Sequence, residues 1–141
     1  MAGPGTPQPY IKILWFLKRK EGMSPEDFHK YWEEDHARFA LNIPGFKQIA
    51  KRYSQFHPAP EFQAKADALG MQTLDFDGVA ELWVESVEGY AKHMGQAELA
   101  EASKREGAEF MGPGSKVLIG YETLVHGEPV PGIPKEKSYT L

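Results

Sequence analysis

The chain has 141 residues, 41% hydrophobic and 12% aromatic, which is typical of one globular domain with a sizeable core. Its formal net charge of -4, with mixed signs, gives no basic surface, so we expect no nucleic-acid partner. Because cysteine is absent, disulfides, thiolate nucleophiles and cysteine metal sites are excluded. No apolar run approaches the ~18 residues of a membrane span, and the N-terminus does not resemble a signal peptide. We therefore expect a cytoplasmic protein without a membrane segment.

The first segments along the chain are an arm and a strand. Residues 1–9 contain three prolines and two glycines, which favours a disordered N-terminal arm. Alternation predicts a strand from Tyr10 to Lys18, with Ile11, Ile13, Trp15 and Leu17 on one face. The opposite face is also largely apolar, so we expect both faces of this strand to be covered.

The clearest signal is a helix over residues 24–42. Ser24 is a good N-cap, Pro25 suits the first helical position, and Asp27 can complete a capping box. One side of this helix is apolar and carries Phe28, Trp32, Phe39, Ala40 and Ile43. His36 follows Trp32 by one turn at the edge of this apolar side, where a histidine is either a hydrogen-bonded core residue or a catalyst.

The middle of the chain predicts two strands separated by a long insertion. The second strand is expected from Phe46 to His57, and a short helix from Glu61 to Leu69 within the insertion. Insertions of this length are often lids or walls of sites. The third strand, residues 76–86, places Asp77, Glu81 and Trp83 on one face and Gly78, Ala80, Leu82 and Val84 on the other.

The last third of the chain predicts a broken helix and a strand. Ser86 can cap a helical region over residues 87–109 that is interrupted near Gly95. Its inward residues are expected to be Tyr90, Met94 and Leu99, and its solvated face Glu98, Glu101, Lys104, Arg105 and Glu106. A fourth strand is expected from Lys116 to His126. Residues 127–141 have no periodicity, and we expect an extended tail that is either disordered or laid over a neighbour.

The order strand, helix, strand, strand, helix, strand predicts an α+β fold of the ferredoxin-like βαββαβ type. In that fold both helices pack on one face of an antiparallel sheet, which leaves the other face bare. Since that bare face carries large apolar side chains, we expect two subunits to cover it by forming a homodimer.

Two segments carry a resemblance to a known family. Residues Arg19–His36, with the pattern R-K-x-G-M-S-x-x-x-F-x-x-Y-W-x-x-x-H, and Phe76–Trp83, FDGVAELW, together with Tyr53 on the second strand, resemble the EthD family of dimeric α+β barrels. The resemblance covers residues 10–126 as one domain. It implies cofactor-free chemistry on an aromatic, polyketide-derived small molecule, as in fungal dehydratases and decarboxylases of secondary metabolism.

In such a barrel the ligand lies between the sheet and the helices, where several polar side chains can converge. His36 is the expected general acid and base, because its ordinary pKa of about 6.5 lets it accept and return a proton near neutral pH. Tyr53 is expected to hold the carbonyl oxygen as its charge grows, and Asp77 or Glu81 to orient His36. For each of these three residues an ordinary structural role is the alternative.

The expected substrate-binding residues are Phe28, Trp32, Phe39, Trp83 and His93. The aromatic ones can equally belong to the core, and His93 can be a surface residue. His29 lies seven residues before His36, but no tight ligand spacing occurs, so we expect no metal. That the protein uses no cofactor is what the resemblance to the family implies. His57 and His126 are expected to be structural or exposed.

The sequence therefore leaves three functions open. The first is a lyase or cyclase that dehydrates, cyclises or decarboxylates an aromatic polyketide-type intermediate with His36 as general acid and base. The second is a cofactor-free monooxygenase acting on a similar aromatic. The third is a non-catalytic barrel that binds a small apolar molecule.

Overall fold

The computed structural model describes residues 3–129, which form one four-stranded sheet flanked by helices. The strands are β1 (Thr6–Leu17), β2 (Ala50–Phe56), β3 (Gly78–Val84) and β4 (Lys116–Leu124). Their order in the sheet is β2-β3-β1-β4, and each neighbouring pair is antiparallel. This arrangement confirms the ferredoxin-like fold class predicted from the order of elements.

The helices follow the predicted order. The first helical segment comprises α1 (Pro25–Tyr31), a π-helical turn (Trp32–His36) and α2 (Ala37–Leu41). A short helix, α3 (Phe46–Ile49), precedes β2, and α4 (Pro60–Ala68) lies in the insertion at the predicted place. The second helical region is broken at Gly95 as expected, giving α5 (Val87–Met94) and α6 (Ala97–Gly107).

The start of the first helix follows from its capping residues. Ser24 has an extended backbone, and its hydroxyl accepts a hydrogen bond of 3.1 Å from the backbone N–H of Asp27. Pro25 occupies the first helical position, where its missing N–H costs nothing. The π-helical turn was not predicted, because one extra residue in a turn leaves no mark on an amphipathic pattern.

The predicted start of the first strand is wrong. β1 begins at Thr6 rather than Tyr10, because Thr6 and Pro7 pair with Leu124 and Thr123 of β4 before the register shifts. The predicted disordered arm is therefore ordered from Thr6 onward. Most of the predicted tail, residues 130–141, lies outside the described residues.

The second strand was predicted from Phe46 but begins at Ala50. Gly45 has a φ of +76°, a left-handed conformation that favours glycine, and it turns the chain into the short helix α3. Phe46 is buried on this helix, in the same core cluster as Ile43 and Val84. The apolar residues that suggested an earlier strand therefore enter the core from a helical turn.

The core lies between the helices and one face of the sheet. One cluster contains Ile11, Ile13, Leu82 and Val84 from the sheet, and Tyr90, Met94 and Leu99 pack against it as predicted. A second cluster contains Leu17, Phe28, Trp32 and Phe110. The space that the two clusters leave between sheet and helices is where a small molecule can enter.

No helix within residues 3–129 is long and apolar enough to cross a membrane.

Candidate active site

A cavity of about 280 Å³ lies between the sheet and the helices. Most of its wall is apolar, and the larger apolar side chains in it are Trp15, Leu17, Trp32, Phe39, Ile43, Phe46, Leu82, Met94 and Met111. The polar side chains in the wall are His36, Tyr53, Tyr90, Ser103, Glu106 and Ser115. An apolar cavity with a few convergent polar groups is the usual form of a small-molecule site.

His36 is placed in this wall by the π-helical turn and is held by a carboxylate. Its Nδ1 lies 2.8 and 2.9 Å from the two carboxylate oxygens of Glu106 on α6. A carboxylate can only accept, so Nδ1 carries the proton and the lone pair of the neutral ring is on Nε2. The side chains of His36 and Glu106 are 23% and 11% exposed, so water competes little for this contact.

Glu106 has a second neighbour, the Tyr31 hydroxyl. Burial, with the charge and hydrogen bond of Glu106, raises the pKa of Tyr31 to about 12. The hydroxyl therefore stays protonated and serves as a second donor to the carboxylate. Phe110 packs on the His36 ring with 4.9 Å between ring centroids. Tyr31 thus contacts the carboxylate of the pair, and Phe110 packs on its imidazole.

Two tyrosine hydroxyls line the same cavity. Burial raises the pKa of Tyr53, although the hydrogen bond from Gln55 opposes this effect. Burial likewise raises the pKa of Tyr90, against a hydrogen bond with Trp15. Both tyrosines therefore remain neutral and able to donate at ordinary pH.

The structure separates the two predicted carboxylates from His36. Glu81 alternates with Ala80 and Leu82, which line the cavity, so it lies on the opposite face of β3. There its carboxylate is 3.6 Å from Lys12 and 3.3 Å from the Ser54 hydroxyl. The expectation that Glu81 orients His36 is wrong, because the two groups lie on opposite sides of the sheet.

Asp77 is also outside the cavity. Its carboxylate accepts hydrogen bonds from the backbone N–H of Arg19, at 2.8 Å, and from the Arg19 guanidinium, at 2.7 Å. This ion pair ties the end of the insertion to the segment after β1. The expectation that Asp77 acts on His36 is therefore wrong as well, because Arg19 occupies both of its oxygens.

Of the five residues expected to bind substrate, Trp32 and Phe39 line the cavity. Phe28 is fully buried in the core, and its ring packs at a tilt against Trp32 and Phe110. Trp83 is buried on the opposite sheet face beside Tyr10 and Lys12. His93 makes a 2.7 Å hydrogen bond with the carbonyl oxygen of Pro44. These three therefore have structural positions, since none of them reaches the cavity.

A second cavity, of about 480 Å³, is lined in part by His57, whose ring packs on Trp32 with 4.6 Å between ring centroids. Its wall includes His29, His57 and Asp77 with residues of the insertion, which is therefore a wall of this cavity rather than of the first. The Nδ1 atoms of His29 and His57 are 2.7 Å apart. Among residues 3–129, no group of three or more histidine or acidic side chains is arranged to hold a metal ion.

Sequence reasoning missed Glu106, which was assigned to a solvated helix face. A signal for it did exist in the spacing. Seven residues span two helical turns, so Glu106 lies on the same face as Leu99, which was predicted to point inward. A single acidic residue on an otherwise inward face is a candidate partner for a buried histidine.

Comparison with protein-family models matches residues 20–114 to the EthD domain. The chain belongs to the EthD family. The matched region contains β2, β3 and all the helices, so it includes His36, Tyr53 and Glu106. A comparison with curated proteins found no match.

Three solved structures share this fold. An EthD-family protein from Bacillus halodurans matches with a TM-score of 0.54 and 18% identity, over 80% of this chain and 98% of its own. HapK from Hahella chejuensis matches with a TM-score of 0.54 and 10% identity, over 85% and 98% of the two chains. A dimeric ferredoxin-like protein of unknown function from Thermobifida fusca matches with a TM-score of 0.50 and 12% identity, over 84% and 93%. At such identities the likeness concerns the fold.

Proposed function

We propose that this EthD-family chain is a cofactor-independent lyase or cyclase acting on an aromatic polyketide-type intermediate. The observation that carries the proposal is the His36–Glu106 pair, at 2.8 Å, in the wall of an apolar, aromatic cavity. The pair leaves Nε2 of His36 as a base, and the aromatic wall suits a flat ring system.

Dehydration illustrates the proposed chemistry. Nε2 of His36 removes the acidic C–H next to a ketone, and the Tyr53 hydroxyl donates to the ketone oxygen as the enolate forms. The imidazolium then returns the proton to the departing hydroxyl group, which leaves as water. Glu106 stabilises the imidazolium between these steps, because its carboxylate lies on Nδ1. Cyclisation by aldol addition uses the same first step.

Ser103 is a candidate hydrogen-bond partner for a polar group of the substrate in the same cavity. Its hydroxyl oxygen is buried and has no hydrogen-bond partner among the described residues. A buried hydroxyl without a partner loses about 1–3 kcal/mol. We assign to Ser103 a hydrogen bond to a second oxygen of the substrate, which polyketide-type rings carry in abundance.

The proposal is tested with two small ketones. Wild type is expected to exchange deuterium into the C2 position of 1-tetralone in D₂O, and to convert 3-hydroxy-1-tetralone to 1-naphthol by loss of water. His36→Ala is expected to lower kcat/KM by about 10²–10⁴-fold, the usual contribution of general acid–base catalysis. His126→Ala is the matched control, because His126 is exposed after β4.

The same experiment distinguishes the lyase from the two other functions. Turnover that requires oxygen, measured by its loss under anaerobic conditions, would favour a monooxygenase and overturn the lyase. Tight binding of the ketones with no conversion, unchanged in His36→Ala, would favour a binding barrel.

We also propose that two chains form a homodimer. β4 exposes apolar side chains on both of its faces, among them Leu118 (60% exposed) and Ile119 (44% exposed). Leu118 pairs with Leu14 on the face opposite the helices, where a second sheet can pack. The Thermobifida fusca protein with this fold is described as dimeric.

Light scattering is expected to give twice the chain mass of 15.8 kDa. Leu118→Lys is expected to shift the protein toward that single-chain mass, whereas Leu69→Lys, in the exposed insertion, is not. A wild type at single-chain mass at micromolar concentration would contradict the dimer.

A further inference from the structure

Gln55 on β2 connects the two cavities through its side-chain amide. Its Nε2 lies 2.8 Å from the backbone carbonyl oxygen of Trp32 and 3.1 Å from the Tyr53 hydroxyl oxygen. Its Oε1 lies 3.1 Å from Nε2 of His57, which continues to His29 in the second cavity. One amide therefore contacts the wall of the proposed active site on one side and a histidine pair on the other.

The carbonyl of Trp32 fixes which way this amide points. A carbonyl oxygen can only accept a hydrogen bond, so the atom facing it is the NH₂ group of Gln55. The two N–H groups of that NH₂ serve the Trp32 carbonyl and the Tyr53 oxygen. Tyr53 thus accepts from Gln55, and its own hydrogen is left for another acceptor.

The same constraint fixes the proton on His57. Oε1 of Gln55 can only accept, so Nε2 of His57 is protonated and its Nδ1 carries the lone pair in the neutral ring. That lone pair must accept the proton on Nδ1 of His29, 2.7 Å away. The whole row of hydrogen bonds therefore has one direction, from His29 through His57 and, by way of Gln55, to Tyr53.

We propose that Gln55 is a positioning residue that turns the Tyr53 hydroxyl hydrogen toward the active-site cavity, and that His57 clamps Gln55 in that orientation. This role rests on the proposed function, because it makes Tyr53 the donor to the substrate's oxygen. The assignment of the His57 proton does not depend on any reaction. The Tyr53 hydroxyl is then already oriented as a donor, so no hydrogen bond has to reorient when charge develops on the substrate's oxygen.

Protonation of the histidine pair limits this arrangement. A proton added to Nδ1 of His57 removes the lone pair that accepts from His29, and this breaks the row of hydrogen bonds. The groups facing His57 are His29 from α1, Glu33 and the Trp32 ring from the π-helical turn, and Gln55 from β2.

The first test measures the proton on His57 in wild type. Long-range ¹H–¹⁵N spectra at pH 7.5 are expected to show Nε2 protonated and Nδ1 with a lone pair. The reverse tautomer would overturn the proposal, whatever reaction the protein catalyses.

The second test removes the donor with Gln55→Met, and Gln63→Met in the wall of the second cavity is the matched control. In wild type the hydrogen bond from Gln55 holds down the pKa of Tyr53, which burial raises. We therefore expect Gln55→Met to raise the pKa of Tyr53 further, observed by ¹³Cζ-tyrosine NMR with Tyr53→Phe identifying the signal. An unchanged pKa of Tyr53 in Gln55→Met, or an equal change in Gln63→Met, would contradict the proposed hydrogen bond from Gln55 to Tyr53.

The third test is kinetic. With 3-hydroxy-1-tetralone, Gln55→Met is expected to lower kcat by roughly 2- to 10-fold, the equivalent of one hydrogen bond, with little change in KM. A change confined to KM, or unchanged kcat, would overturn the positioning role. If wild type itself does not act on this ketone, the proposed function fails for it, and the two NMR measurements alone decide whether Gln55 sets the direction of the Tyr53 hydroxyl.

Discussion

The two cavities use histidine in opposite ways. In the first, His36 pairs with the carboxylate of Glu106, a partner that stabilises a positive charge on the ring. In the second, His57 pairs with another histidine, and burial together with His29 lowers the pKa of His57, although Glu33 opposes this. In the proposed reaction the first ring takes up a proton, whereas burial disfavours the protonated form of the second ring, which links its neighbours by hydrogen bonds.

The difference teaches that the partner, and not the residue type, gives a histidine its role. His29 and His36 both lie on the first helical segment. The ring of Trp32, between them in sequence, lines the first cavity and packs on His57 of the second. The next four predictions break or sharpen this contrast.

The largest effect is expected from removing the Trp32 side chain. Trp32 is fully buried, packs near Phe28 and lines the first cavity, so Trp32→Ala is expected to lower the free energy of unfolding by about 3–5 kcal/mol. Trp32→Phe keeps most of the packing and is expected to cost less. Urea unfolding monitored by circular dichroism measures both free energies of unfolding. Equal losses in the two variants would show that stability does not depend on the size of this side chain.

The next effect concerns the carboxylate that distinguishes the first cavity. Glu106→Gln keeps the size of the side chain but removes the charge that stabilises a protonated His36, so kcat with the tetralone substrate is expected to fall by roughly 10- to 1,000-fold. Glu101→Gln, an exposed position on the same helix, is the control. Full activity in Glu106→Gln would remove the proposed difference between the two histidines.

A smaller effect is expected from overpacking against the Trp32 ring. A Cβ at Gly78 would meet the Trp32 ring, whereas a Cβ at Gly120 would meet nothing within 4 Å. Gly78→Ala is therefore expected to cost about 1–3 kcal/mol in unfolding free energy through overpacking. Gly120→Ala, also on a strand, is expected to change it little. Urea titrations of both variants give the comparison, and equal stability of the two would mean that the Trp32 ring moves freely.

The smallest effect is a pH dependence of stability that belongs to the second cavity. Because burial lowers the pKa of His57 from its ordinary 6.5, the unfolded chain binds this proton more readily than the folded chain. The contribution of neutral His57 is thus present above pH 6.5 and is lost as the pH falls toward the lower folded value.

Unfolding free energies at pH 7.5 and 5.5 test this. Wild type is expected to lose more stability on acidification than His57→Gln, while His126→Gln is expected to behave as wild type. The same loss in wild type and His57→Gln would show that His57 is not the titrating group.

Local pattern was sufficient for most of the fold and for part of the site, including His36 and Tyr53. Ser24, Pro25 and the apolar spacing around Trp32 predicted the first helix, and that helix places His36 against the sheet. Alternation along β3 was also predicted correctly, yet the same alternation carries Glu81 away from His36. The pattern identifies the faces of an element but not which face meets which neighbour.

The sequence by itself determined the order of elements, the fold class, the family motifs and the candidacy of His36 and Tyr53, because these depend on neighbours within a few residues. Tertiary structure alone decided that Glu106 on α6 reaches His36 and that Arg19 occupies Asp77. It also decided that His29 meets His57 across the second cavity. Each of these partners comes from a distant part of the chain, and a hydrogen bond between distant residues depends on how helices and sheet pack, which no local spacing encodes.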